Sequence, residues 1–267
     1  MRAVSNVCCA RLQTDWVTDL TMRTSIDFNC DLGEGCGSDA DIIPLISSAS
    51  IACGGHAGEV VSMRETLQLC AEHGVIAGAH PSYPDRENFG RVPMDIEHAA
   101  LRDSLIEQLR SLQVIASEVG VTLRHIKPHG ALYNDAAKDA LLADVVLDAV
   151  EQVDPALQVM GLAGSLLIEQ ASARGFGVIE EAFVERGYQA NGQLAPRGTP
   201  GAVLETIEAS LAQLDDIVRN GEVTAVSGER IALRADTVCL HGDREDAAAF
   251  ARDLRNHLDQ IGIEVKA

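Results

Sequence analysis

Aromatic residues are scarce in this chain of 267 residues, which has one Trp, three Tyr and five Phe. So few flat rings argue against a polysaccharide substrate, since sugars are held largely by stacking on aromatic faces. Positive charge is scarce too: 21 Lys and Arg face 40 Asp and Glu, a formal net charge of −19. That balance disfavours a nucleic-acid backbone or an anionic membrane surface as partner, although a small anionic ligand needs only one or two local cations. No run is long and apolar enough to span a bilayer. Residues 1–21 lack the apolar stretch of a secretion signal, because Arg11, Asp15 and Asp19 interrupt it. Seven cysteines without CxxC spacing read as reduced thiols of a cytoplasmic protein. Absent as well are the P-loop with its Lys-Ser/Thr, the dinucleotide fingerprint and the G-x-S-x-G elbow.

What the chain does contain is a repeated unit. Short apolar, β-prone runs end in polar or Gly-rich clusters and are mostly followed by helical patterns. The runs are 25–31, 49–55, 75–80, 123–128, 157–164, 177–183 and 237–243; the helical patterns include 61–73, 96–119, 137–152, 165–174, 201–219 and 245–261. Buried strands alternating with helices imply parallel βαβ units. Seven of them predict an α/β fold, a distorted seven-stranded (β/α) barrel. Residues 221–236 read as a small hairpin before the last strand, and the Gly- and Pro-rich 186–201 as a lid or wall. No linker interrupts the pattern, so residues 25–267 form one catalytic domain. Residues 1–24 are then an N-terminal extension outside the core, with 1–21 dispensable and Met22 a natural start.

The run ends carry the chemistry. They supply Asn29, Asp31 and Glu34; Cys53 and His56; His80; Lys127 and His129; Glu181, Glu185 and Arg186; His241 and Asp243. In a parallel barrel these ends meet on one face, where active sites form. Five of the eight histidines (56, 80, 125, 129, 241) lie at or beside such ends, where chance would scatter them onto helices. Lys127, one of three lysines, sits between two histidines in "HIKPHGALYN". A lysine is seldom buried without a role, so it is expected to face substrate in a solvated cleft at the barrel mouth. Other readings compete elsewhere. Glu34 can cap a turn, and the glycines of "DLGEGCG" suit a tight βα turn as well as a phosphate. Cys30, Cys53 and Cys239 fit the core as small apolar residues. His125 reads as structural, and Arg91 and Arg186 can be surface ion pairs.

The stretches "IDFNCDLGEGCG", "IACGGHAG", "GAHPSYPDRENFGR", "HIKPHGALYN", "EAFVERGY" and "CLHGD", in this order from about Ser25 onward, resemble the LamB/YcsF family. The resemblance implies a barrel of the glycoside hydrolase/deacetylase type. It also implies ATP-driven conversion of 5-oxoproline to glutamate, in a complex with 5-oxoprolinase subunits B and C. ATP would serve as cosubstrate, with Mg²⁺. A lactam carbonyl is a poor electrophile; phosphorylating its oxygen exposes the carbon to water. The enzyme then needs a base, positive charge near the phosphate and the substrate carboxylate, and an acid for the departing nitrogen. Lys127 could supply charge, or act as base if its site lowers its pKa. His80 and His129 are candidate proton carriers. Asp31 and Asp243 would be neighbours in a closed barrel, favouring a shared proton or a metal. Asn29, Glu34, His56, Arg91, Glu181, Arg186 and His241 are assigned to substrate. An alternative is a metal-dependent deacetylase or amidohydrolase with Asp31, His56 and His80 as ligands of a divalent ion. A non-catalytic scaffold would not need so many strand-end histidines.

Overall fold

A computed structural model describes residues 23–243 and 246–267 of the chain. The expectation that 1–21 are dispensable therefore lies outside the described residues, although Thr24 accepts a hydrogen bond from Glu264 N at 2.8 Å. Seven parallel strands close into a ring: β1 (Ser25–Leu32), β2 (Ser48–Ala52), β3 (Ile76–His80), β4 (His125–Ile126), β5 (Gln158–Leu162), β6 (Val178–Phe183) and, after a two-stranded hairpin of β7 (Glu222–Thr224) and β8 (Arg230–Ala232), β9 (Thr237–His241). Closure is direct, with β1 paired in parallel to β9 from Asp27↔Thr237 to Asp31↔His241. The seven-stranded barrel and the small hairpin agree with the sequence reading. A short tenth strand, β10 (Glu264–Val265), extends β1 on its outer side and was not foreseen.

Helices cover the outside. The longest, α3 (His98–Glu118), buries Leu101, Leu105, Leu109, Leu112 and Ala116, a stripe spaced three or four residues apart. Each buried leucine contributes roughly 1.5–3 kcal/mol relative to exposure. The predicted helix 137–152 is observed as α5 (Ala140–Val153), and a separate short helix that was not foreseen, α4 (Gly130–Ala136), precedes it. The helix Ala140–Val153 starts where the Asp139 carboxylate accepts from Leu141 N and Leu142 N. The predicted helix 201–219 starts later, at α7 (Ile207–Asp215), capped by Thr206. The residues before it stay in the loop beside the site.

The barrel interior departs from an aliphatic filling. Along β1, Ile26, Phe28, Cys30 and Leu32 join the core cluster, and the alternate residues point inward. Those inward residues are polar. Asp27 accepts from Ser47 Oγ at 2.6 Å and Ser48 Oγ at 2.7 Å. Ser50 Oγ lies 3.2 Å from His125 Nε2. Asn29 Nδ2 donates to Glu181 Oε1 at 3.0 Å and Thr237 Oγ1 at 2.8 Å. Gly78 is required on β3, since a Cβ there would meet the His125 ring at 2.2 Å. Burial first, then Lys127 and His80, push His125 down to about 3, so it stays neutral and structural.

Candidate active site

Lys127 forms the floor of the site. Pro128 follows it and has no N–H, so β4 ends here; the ammonium projects across the barrel. It lies 2.5 Å from Asp31 Oδ1 and 2.9 Å from Glu181 Oε1, and donates to Asn29 Oδ1 at 2.8 Å. Lys127 is only 1% exposed. This corrects the expectation of a solvated cleft: the lysine is packed among protein atoms. Burial alone would lower its pKa, but Asp31, Cys239 and Glu181 carry it well above the ordinary value. Lys127 is a permanent ammonium, which removes it as a base. Burial would raise the Asp31 carboxyl, yet His80 and Lys127 hold it well below the usual range. Asp243 is not its neighbour in function, and no hydrogen bond among the described residues joins the two. Asp243 instead binds Arg91. The expected shared proton between Asp31 and Asp243 therefore has no geometric basis.

A cluster of histidines stands above Asp31. His80 Nε2 is 3.3 Å from Asp31 Oδ2 and 3.0 Å from His129 Nδ1. Glu34 Oε1 lies 3.0 Å from His56 Nε2 and 3.5 Å from His129 Nδ1. The rings of His56 and His129 stack at 3.6 Å with 6° between planes. Burial, then neighbouring histidines, lower the pKa of both His56 and His129. Burial, then Asp31 and Asp243, raise that of Glu34. Ligand atoms of Glu34, His56, His80 and His129 fall within 4.8 Å of one another, so this group could hold a metal ion. It differs from the anticipated trio: Glu34 and His129 belong to it, and Asp31 is drawn aside by Lys127.

A cavity of about 290 Å³ opens over Asp31, His80, Lys127, His129, Glu181 and His241. The loop 186–201 walls it, as its composition suggested, with Gln193, Leu194, Pro196 and Arg197 on the lining. Arg186 itself is tied up: its guanidinium donates to Ala202 O at 3.0 Å and Ala195 O at 2.8 Å, fixing the loop. His241 stacks on Phe183, and its Nδ1 is 2.5 Å from Glu185 Oε1. Two lining residues escaped the sequence reading. Tyr133 is buried with its hydroxyl beside Glu181, and burial together with that carboxylate raises its pKa. Neither that hydroxyl nor Glu181 Oε2 makes a well-formed hydrogen bond to any other group among the described residues. Arg197, at the mouth, enters no ion pair among the described residues, so its guanidinium is open to a ligand. Tyr133 was within reach, since it closes the same "HGALY" stretch as His129; Arg197 carried no signal beyond its place in a long loop.

The model of the LamB/YcsF family matches residues 26–267, and the chain belongs to that family. It is 47% identical over 242 residues to the A subunit of 5-oxoprolinase from Neisseria meningitidis serogroup A, covering 91% of this chain and 99% of that protein. The serogroup B protein of the same name matches equally, at 47% over 242 residues. Among solved structures, the lactam utilization protein from Thermus thermophilus superposes with a TM-score of 0.85 at 39% identity, covering 91% of this chain and 99% of that one.

Proposed function

We propose that this LamB/YcsF protein is the A subunit of an ATP-dependent 5-oxoprolinase, opening 5-oxo-L-proline to L-glutamate with hydrolysis of ATP. The observation that carries the reading is the 47% identity over 91% of the chain to proteins of that name. The pocket suits a small polar lactam. Glu181 Oε2 and the Tyr133 hydroxyl face each other and make no other hydrogen bond, so together they offer an acceptor and a donor to the lactam N–H and C=O. Arg197 offers a bidentate cation for the substrate carboxylate or a phosphate. Transfer of the γ-phosphoryl group of ATP to the lactam oxygen would leave ADP and an activated carbon. Water then adds to that carbon beside the His80–His129 cluster and loses a proton to a base of the pocket. The C–N bond breaks as the nitrogen takes a proton, and hydrolysis of the resulting acyl phosphate releases phosphate and the new carboxylate.

The chain carries no recognisable phosphate loop, so activation is assigned to partner subunits B and C, with ATP and Mg²⁺ bound there. Direct transfer of a labile intermediate favours docking at the barrel mouth, with loop 186–201 in contact. Cytoplasmic action fits the five unpaired cysteines among the described residues, and no described helix is long and apolar enough to cross a membrane. The test is glutamate release from 5-oxoproline and ATP by the purified chain and by the chain with both partners. Release only from the full set supports the reading. Full release by the chain alone would move the ATP site into this barrel, and no release in any combination would overturn the substrate.

A further inference from the structure

We infer that Glu34, His56, His80 and His129 bind one divalent transition-metal ion of the zinc class on the inner wall of the pocket. The argument begins with protons. His80 Nδ1 is 2.8 Å from Lys127 O, and a carbonyl only accepts, so Nδ1 carries the hydrogen. His129 Nε2 is 2.9 Å from Phe89 O, which likewise places its hydrogen on Nε2. With those hydrogens on the outer nitrogens, His80 Nε2 and His129 Nδ1 turn lone pairs toward each other at 3.0 Å, with Asp31 Oδ2 3.3 Å from His80 Nε2. Two lone pairs repel at that distance unless something positive lies between them.

A proton could join those two atoms, but it would leave the others unserved. Glu34 Oε1 and His56 Nε2 converge on the same space, and all four atoms fall within 4.8 Å of one another. A proton bridges two donors; a metal ion accepts from all four. Tetrahedral zinc with bonds of roughly 2.0–2.1 Å sets its donors about 3.3–3.4 Å apart. That is close to the 3.0 Å of His80–His129 and His56–Glu34 and the 3.5 Å of His129–Glu34. Outward N–H groups locked on carbonyls are also the usual support of metal-binding imidazoles. The protein invests backbone strain in one of them. Phe89 is the sole non-glycine with positive φ among the described residues, at 54°, and this turns its carbonyl onto His129. Its ring meets those of His56 and His129 edge-on at 5.2 and 5.5 Å. Gly90 keeps the cluster tight, for a Cβ there would lie 2.9 Å from His56 Cβ. Imidazole-rich donors favour zinc and its later first-row neighbours over manganese, magnesium and calcium.

This inference does not depend on the lactam reading, and its test reads binding rather than turnover. Chelator-stripped full-length protein is titrated with Co²⁺, followed by visible absorption, and with Zn²⁺ by calorimetry. One ion per chain is expected, with Mg²⁺ failing to compete. X-ray absorption of the zinc-loaded wild-type protein should show about three imidazole ligands. His129→Ala and Glu34→Gln should weaken Zn²⁺ by more than about 100-fold, since even outer partners of such histidines are worth roughly 10–100-fold. His241→Ala, in the same pocket but outside the cluster, should leave affinity unchanged. Far-ultraviolet dichroism checks that each variant is folded, and the wild-type measurements need no variant. Failure of the wild-type protein to bind Zn²⁺ or Co²⁺ stoichiometrically would overturn the inference in favour of a proton shared by His80 and His129. Binding that survives in His129→Ala would overturn the ligand set.

Discussion

Replacing Lys127 by Met tests the charge balance of the barrel floor. Met keeps most of the aliphatic stem, so the packing change is small. What is lost is the only ammonium between Asp31 Oδ1 at 2.5 Å and Glu181 Oε1 at 2.9 Å, in a place where Lys127 is 1% exposed. Removing one partner of a buried ion pair costs about 3–5 kcal/mol, because the remaining charge stays buried without compensation. For a protein of this size each kcal/mol moves the melting temperature by about 2–4 °C, so Lys127→Met should melt about 6–20 °C lower. The double variant with Glu181→Gln removes one surplus charge and should recover part of the loss, giving a coupling of about 0.5–3 kcal/mol in a double-mutant cycle. The assay is thermal unfolding at neutral pH with all four proteins of the cycle. A single variant melting within about 2 °C of the parent, or a cycle with no coupling, would refute the claim that Lys127 neutralises these carboxylates. Activity measured well below the melting temperature then reports separately on any contact with substrate.

Three further expectations follow from other parts of the site. Tyr133→Phe should lower kcat/KM by about 10-fold while moving the melting temperature little, because the hydroxyl meets only Glu181, without a well-formed hydrogen bond. Arg197→Ala should raise KM by about 10–100-fold while kcat changes little, the signature of a charged contact to a substrate anion in steady-state kinetics. His125→Gln should flatten the acid limb of stability. The folded-state pKa of His125 is about 3 against an ordinary 6.5, so between these values the unfolded chain binds more protons and stability falls as pH drops. At about 1.4 kcal/mol per pH unit, the loss reaches at most about 3 kcal/mol between about pH 7 and pH 4, the range over which denaturant melts of parent and variant would measure it.

The strand–helix alternation was legible because parallel strands covered by helices must be apolar on their outer side, and the helices must show a stripe. The ends of the runs were legible for a topological reason: a closed parallel barrel delivers them to one mouth whatever their distance in sequence. Hence His56, His80 and His129, from three separate runs, could be grouped before their contacts were known. The interior was misjudged. Asp27, Asn29 and Asp31 alternate with Ile26, Phe28 and Cys30, a period of two that already marks an inner polar face on β1. Reading only the ends placed Lys127 in solvent, whereas partners three strands away enclose it. Pairing across a barrel depends on which strands face each other, and no local spacing encodes that. Asp243 failed for a related cause: it lies two residues past the last strand, and its carboxylate is taken up by Arg91.

The polar interior also links folding to site formation. Asn29 and Asp31 come from β1, Lys127 from β4, Glu181 from β6 and Cys239 from β9, and the ammonium touches all four of these other residues. An aliphatic plug would tolerate an incompletely closed sheet, since hydrophobic contact is not directional. A buried ammonium does not, because its carboxylates must stand on both sides before desolvation is offset. The β1–β9 seam brings Asp31 beside His241, while β3 and β4 bring His80 and His129 over it. Until that seam is zipped, Lys127 lacks Asp31 and the histidine cluster lacks its lower wall. The same closure that completes the barrel therefore assembles the site, so a partly open barrel has neither the stability of the ion-pair network nor a competent pocket.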